Sequence, residues 1–184
     1  MKLQKILSRL QKLHPKEIDL SLDRIINLWK KLDNPQDKIK AISIVGTNGK
    51  YSTIQAMFSI LKEANFNCNI YTSPHIQKIN ERFVFNNKEI SNAAYFYKAA
   101  KYHDNINLIE TGLFHRFDAT NILKENKASI ITSIGLDHLD WLPENEQTIK
   151  KIIYEKTSTL LNSNIIVAKQ SSNEITNIIK ETIS

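Results

Sequence analysis

A chain of 184 residues, 41% hydrophobic and 24% charged, is long enough to bury one substantial core and too apolar for a disordered segment. Its 25 Lys and Arg against 19 Asp and Glu leave a net charge of +6, but the excess is scattered, with no basic run interleaved with aromatics, so no nucleic-acid surface is expected. The lone Cys68 cannot form an internal disulfide, no Cys/His spacing suggests zinc, and neither a signal stretch nor an apolar run of about eighteen residues occurs. The expectation is a soluble protein of the reducing cytoplasm, without a membrane partner.

Leu3, Ile6, Leu7, Leu10 and Leu13 recur at helical spacing, and Leu22, Ile25, Ile26 and Trp29 do so again, which predicts two amphipathic helices before Pro35. "AISIV" (41–45) predicts a buried strand. Ile54, Met57, Phe58 and Leu61 then trace one face of a helix ending near Asn65. "NCNIYT" predicts the next strand, and "RFVFNNKEI" a small hairpin turning at Asn86-Asn87, since Asn tolerates positive φ. Further on stand a helix around "AAYFYKAAKY", strands "INLIET" (106–111) and "ASIITSI" (128–134), a helix from about 145 to 157, a strand "NIIVA" and a final helix. Strand and helix in alternation predict an α/β fold, a mostly parallel sheet with helices on both faces and ligands beyond the carboxyl ends of its strands. No repeat or linker divides residues 1–184, so a single domain is expected.

The segment "SIVGTNGKYST" (43–53) runs from strand through a glycine turn into a helix. Such a turn aims backbone N–H groups and the positive end of a helix dipole at one spot, with Lys50 adding a mobile charge. Gly46 and Gly49 let the backbone approach an anion, and Ser52 or Thr53 can reach a phosphate or a metal ion. The strict G-x-x-x-x-G-K-[ST] pattern is not met, because Ile44 and Tyr51 occupy two of its fixed positions. Polar groups follow three successive strands: Ser73 in "YTSPH", Glu110 in "IETGL" and His138 in "GLDHLDW". Together they suit an oxygen-rich magnesium site beside a triphosphate. Taken singly, Ser73 could cap a turn, Glu110 could pair with Arg116, and His138 could be structural. Asp118 in "RFDATN" could reach ligand amino groups or act as an N-cap, and Lys156 reads as a helix-surface lysine.

In this order and rough spacing, "GTNGKYST", "YTSPHIQKINERF", "ETGLFHRFDATNIL" and "ITSIGLDHLDWL" followed by "EK" resemble the folylpolyglutamate synthase and dihydrofolate synthase family, a branch of the Mur ligases. The opening "LHPKEIDLSLDRI" also resembles that family, so the likeness spans nearly the whole chain. The resemblance implies a P-loop NTPase-like domain of the Mur ligase central type. It implies an ATP-dependent ligase in which a dihydropteroate or folate carboxylate is phosphorylated and the acyl phosphate is attacked by the amine of L-glutamate. By the same resemblance Gly46, Thr47, Asn48, Gly49, Lys50 and Ser52 hold ATP, while Ser73, Glu110 and His138 hold Mg2+, with a second ion possible. Lys50, His138 and Lys156 are the catalytic candidates, Lys156 matching the family's carbamylated lysine. Asp19, Phe117, Asp118 and Ala119 resemble pterin-side contacts.

The chain also departs from the family. Tyr51 replaces a glycine; Phe114 and His115 stand where two glycines are usual, adding bulk expected near phosphate and substrate; and "EKTSTL" lacks the glycine after the lysine motif. The stretch near 91–95 is shortened, and the relatives' C-terminal ligase domain has no counterpart, so an incomplete enzyme working as a monomer is expected. A peptidoglycan-type Mur ligase and a non-catalytic nucleotide-binding remnant or regulatory module are the alternatives.

Overall fold

The computed structural model describes residues 22–77, 79–86, 88–89, 104–123, 126–160 and 163–184. The helices expected near residues 3–13 and around "AAYFYKAAKY", together with Asp19, lie outside them. Helix α1 spans Asp23–Lys31 and ends before a 3-10 turn at Pro35–Lys38. Strand β1 (Ala41–Val45) leads into α2 (Lys50–Glu63), which is followed by β2 (Cys68–Tyr71), β3 (Phe83–Phe85) and β4 (Lys88–Glu89). Then come β5 (Ile106–Glu110), β6 (Asn126–Ile131), α3 (Ile149–Thr157), β7 (Asn164–Val167) and α4 (Asn173–Ile183).

The seven strands form one sheet in the order β4-β3-β2-β5-β1-β6-β7. Pairing is parallel from β2 to β7, while β3 runs antiparallel to β2 and to β4. Val84 faces Glu89 and Phe85 faces Lys88 across the expected hairpin, whose turn has Asn86 at φ 51°.

Alternation along the strands divides the core in two. Ile44, Ile70 and Leu108 face α2, where they meet Ile54, Met57, Phe58 and Leu61. On the other face Val45 and Ile131 meet Phe114, Ile152, Ile153 and Ile179, under α3 and α4, while Ala41, Phe83 and Ile109 meet Ile39 and Leu123. Central strands buried on both faces explain the near-continuous apolar run "AISIV".

Two boundaries differ from expectation. Strand β6 ends at Ile131 because the chain there turns to meet the loop after β1, where Thr132 N donates to Val45 O at 2.8 Å. Helix α3 begins only at Ile149, after a 3-10 turn at Glu144–Glu146, because Thr148 caps it by accepting from Lys151 N at 3.2 Å.

Register places the site. Ile44 is level with Glu110 on β5, Val45 with Ile131 on β6, and Tyr71 with Ile109. Residues just past β1, β2, β5 and β6 therefore meet at one edge of the sheet.

Candidate nucleotide and metal site

Gly46 leaves β1 at φ 149° and Gly49 caps α2 at φ 85°, so both glycines adopt backbone that side chains disfavour. Thr47 N and Asn48 N donate to Ser133 O at 2.9 and 3.1 Å, and the Thr47 hydroxyl exchanges hydrogen bonds with the Gly135 backbone, each 3.2 Å. The amides of Thr47 and Asn48, expected to wrap an anion, are thus committed to the loop after β6. The donors left at the helix start are the first-turn amides of Lys50, Tyr51 and Ser52, which have no partner inside an α-helix. Lys50 Nζ arches back over the turn to Gly46 O (3.1 Å) and Thr47 O (3.3 Å). Tyr51, 58% exposed, lines a cavity of about 690 Å³ together with Phe58, Ser73 and Pro74.

Ser73 and Glu110 are brought together: Ser73 N donates to Glu110 Oε2 at 3.0 Å. Burial pushes the Glu110 carboxyl above its ordinary range, opposed by the Ser73 amide and by the charge of Lys50. Glu110 does not pair with Arg116. That guanidinium binds Glu155 in a fork, Nε to Oε2 at 2.7 Å and Nη2 to Oε1 at 3.2 Å, and lies 4.2 Å from the centre of the Phe117 ring. His138, at φ 54°, directs Nε2 to Asp137 Oδ2 at 3.2 Å and is 43% exposed. Among the described residues no group of three or more His, Cys, Asp or Glu side chains is arranged to hold a metal ion. One carboxylate and a hydroxyl fit a hard cation that takes its remaining oxygens from substrate phosphates and water.

Asp118 caps the following 3-10 turn, accepting from Thr120 N at 2.9 Å and from the Thr120 hydroxyl. Burial raises its carboxyl, and hydrogen bonds from Thr120 and Gly112 oppose that. Phe117 is half-buried and Ala119 exposed beside it.

Lys156 is not a surface lysine. It is 2% exposed, and Nζ donates to Leu113 O at 2.9 Å and lies 3.5 Å from Gly46 O. Burial, with Lys50 nearby, lowers its pKa to about 8, against the pull of Asp137. Phe114 and His115 are both 2% exposed, and Phe114 packs with Ile152 and Ile153 of α3, its ring centre 5.7 Å from Lys156 Nζ. His115 Nδ1 meets Thr159 Oγ1 at 2.7 Å, while its Nε2 is buried with no hydrogen-bond partner among the described residues.

Burial lowers the pKa of His115 from 6.5 to about 4. As pH falls, the unfolded chain takes up that proton first, so stability is lost between about pH 6.5 and 4, by about 3 kcal/mol over the full interval. Urea midpoints at pH 7 and pH 4.5 should drop farther for the parent than for His115→Gln; equal drops would refute a neutral buried imidazole.

Sequence reasoning missed Ser133, Gly135 and Leu113, whose roles run through backbone atoms, Thr132, whose hydroxyl donates to Val45 O and lies against Gly46, and Glu155, whose only signal is its place in "YEK".

No protein-family model matches the chain. It is 33% identical over 168 residues to a dihydrofolate synthase/folylpolyglutamate synthase of Haemophilus influenzae, covering 78% of this chain and 38% of that one. Its fold superposes with a TM-score of 0.77 and 27% identity on E. coli FolC in complex with DHPP and ADP, covering 99% of this chain and 50% of the other. The same score and identity relate it to the bifunctional folylpolyglutamate synthase/dihydrofolate synthase of Yersinia pestis complexed with AMPPNP and a Mn ion, with 99% and 50% covered. The glycine turn after β1, helix α2 and the parallel sheet define a P-loop NTPase-like α/β domain of the Mur ligase type. Within that class the chain is similar to members of the folylpolyglutamate synthase/dihydrofolate synthase family. It spans about four-tenths of the length of the curated relatives it matches, 38% and 40% for two of them. Among the described residues no helix is long and apolar enough to cross a membrane.

Proposed function

We propose that this chain is the nucleotide-handling part of an ATP-dependent ligase that joins L-glutamate to the carboxylate of a dihydropteroate or folate. The observation that carries the reading is the meeting, at one sheet edge, of the Gly46–Lys50 turn with the Glu110–Ser73 pair. In such a reaction a carboxylate oxygen attacks the γ-phosphorus and ADP leaves; the amine of glutamate then attacks the acyl carbon and phosphate leaves. Carboxylate and triphosphate repel each other, so cationic and N–H groups must hold them in line.

Lys50 supplies a charge that can swing from the Gly46 and Thr47 carbonyls to phosphate oxygens. The first-turn amides and Ser52 orient those oxygens from the helix end. Glu110 and Ser73 would hold a divalent cation, with His138 as a further ligand from the loop tied to the turn through Thr47 and Gly135. Mg2+, when bound, neutralises charge on the transferring phosphoryl group. Asp118, Phe117 and Ala119, with Asp19, are the candidates for the pterin side.

A second reading, a nucleotide-binding module without ligase activity, is favoured by the commitment of the Thr47 and Asn48 amides to Ser133 O. Calorimetry with Mg-ATP, followed by an assay of folate- and glutamate-dependent ADP release, separates the two. Micromolar Mg-dependent binding supports the site, and ADP release with all substrates supports the ligase. Binding without turnover favours the module, and absence of binding refutes both.

A further inference from the structure

We propose that Arg116, held in a fork by Glu155, is a positioning residue for the flat ring system of the acid substrate, acting through Phe117 and Asp118. The inference deepens the pterin-side reading above and rests on it.

Arg116 is tied down on several sides. Its guanidinium donates Nε to Glu155 Oε2 at 2.7 Å and Nη2 to Oε1 at 3.2 Å, and Cζ lies 4.2 Å from the Phe117 ring centre and 5.6 Å from that of Tyr154. Its backbone O accepts from Asn121 Nδ2 at 3.0 Å, inside the 3-10 turn Ala119–Ile122 that Asp118 caps. A fork between guanidinium and carboxylate fixes the guanidinium plane, whereas a lysine would be a point charge on a flexible stem. The guanidinium so fixed lies over the Phe117 ring and holds it by a cation–π contact. Phe117 is half-buried, so part of it stays open to a ligand.

The same segment reaches the metal side. Asp118 Oδ2 sits against Gly112, where a Cβ would overlap it, and Gly112 lies two residues past Glu110 at the end of β5. The stretch from Glu110 to Asp118 therefore joins the candidate cation site to the candidate ring site, and Arg116 anchors it to α3.

Burial gives the pair its direction. Glu155 is 2% exposed in α3 beside Ile152 and Ile153, while the Arg116 side chain is 36% exposed. The helix is the fixed end. Lys151, itself bound to Glu146 at 2.7 Å, reaches Glu155 Oε1 at 3.3 Å, so the buried carboxylate keeps a cation when Arg116 is changed. Replacing Arg116 thus loosens ring and turn without stranding a bare charge in the core.

Calorimetry on the 184-residue protein tests this with Mg-ADP, dihydropteroate and folate in turn. Arg116→Lys, which keeps the charge and loses the fork, should bind whichever pterin the parent binds about tenfold more weakly, with ADP affinity within about twofold of the parent. Glu155→Gln should do the same, and the double variant should be no weaker than either single one, because all three break one contact. Millimolar ethylguanidinium should restore most of the loss in Arg116→Ala, and propylamine should not. Unchanged pterin affinity in Arg116→Lys, a parallel fall in ADP affinity, additive losses, or rescue by propylamine would each overturn the proposal. If Glu155→Gln does not fold, Arg116→Lys and the rescue decide. If the parent binds neither pterin, the pterin-side reading fails and this role with it; if it binds one that the variants bind equally well, that reading stands and only the role of Arg116 is lost.

Discussion

Lys50→Ala is expected to weaken Mg-ATP and ADP binding by about a hundredfold, or roughly 2–3 kcal/mol, with little loss of fold stability. The lysine spans the turn, with Nζ on Gly46 O and Thr47 O, so it is already gathered where phosphate oxygens would lie. A charge-assisted contact to phosphate in a half-buried site is worth about twice a neutral hydrogen bond. Of the two residues whose carbonyls lose it, Thr47 is only half-buried and Gly46 O keeps Lys156, so the melting temperature should move by only about 2–4 °C. Calorimetry on the variant reads the effect directly. Binding equal to the parent would remove the phosphate-turn assignment, whereas equal binding by Lys50→Arg would show that charge alone suffices.

Gly46→Ala should damage fold and site together. At φ 149° an L side chain is strained, and a Cβ there would overlap the Thr132 hydroxyl and press on Ser133 O. Strain of about 1–2 kcal/mol and overlap of about 1–3 kcal/mol predict a loss of about 2–5 kcal/mol, on the order of 10 °C in melting temperature. ADP binding should fall as well, because Thr47 and Asn48 must keep their hold on Ser133 O for the helix start to stay aimed. Thr132→Ala alone removes a hydrogen bond to Val45 O, at about 1 kcal/mol. Combined with Gly46→Ala it should cost less than the sum of the two, by about 1–2 kcal/mol, because the overlap is relieved while the backbone strain remains. Strictly additive losses would mean that Thr132 does not limit the turn.

The Gly46 prediction depends on contacts between segments about 85 residues apart in the chain, and that distance explains what sequence reasoning could and could not reach. The strand-turn-helix at residues 41–63 was legible because apolar spacing and glycine position act locally. The β3–β4 hairpin was legible for the same reason, its Asn86 accepting the positive φ that the turn demands. Asp118 was legible as an N-cap, because a cap lies within two residues of the amide it serves.

Other assignments turned on packing. Arg116 lies six residues from Glu110 in the chain but pairs with Glu155, which α3 brings across the sheet and buries. Phe114 and His115, read as bulk near the substrate, point into the core because the 3-10 turn at His115–Phe117 lies beneath α3. Lys156, read as a surface lysine, is buried because the face of α3 that carries it also carries Ile152 and Ile153 toward the sheet.

By itself, the sequence determined the alternation of strands and helices, the glycine turn after β1 and the polar residues at three strand ends, since each is written in spacing along one segment. Only the tertiary structure decided which backbone amides remain for an anion, which carboxylate Arg116 takes, and that Lys156 faces the turn instead of water. Those choices depend on which groups lose their solvent when separate segments meet, and a buried hydrogen-bonding group must find its partner among whatever the fold has placed beside it.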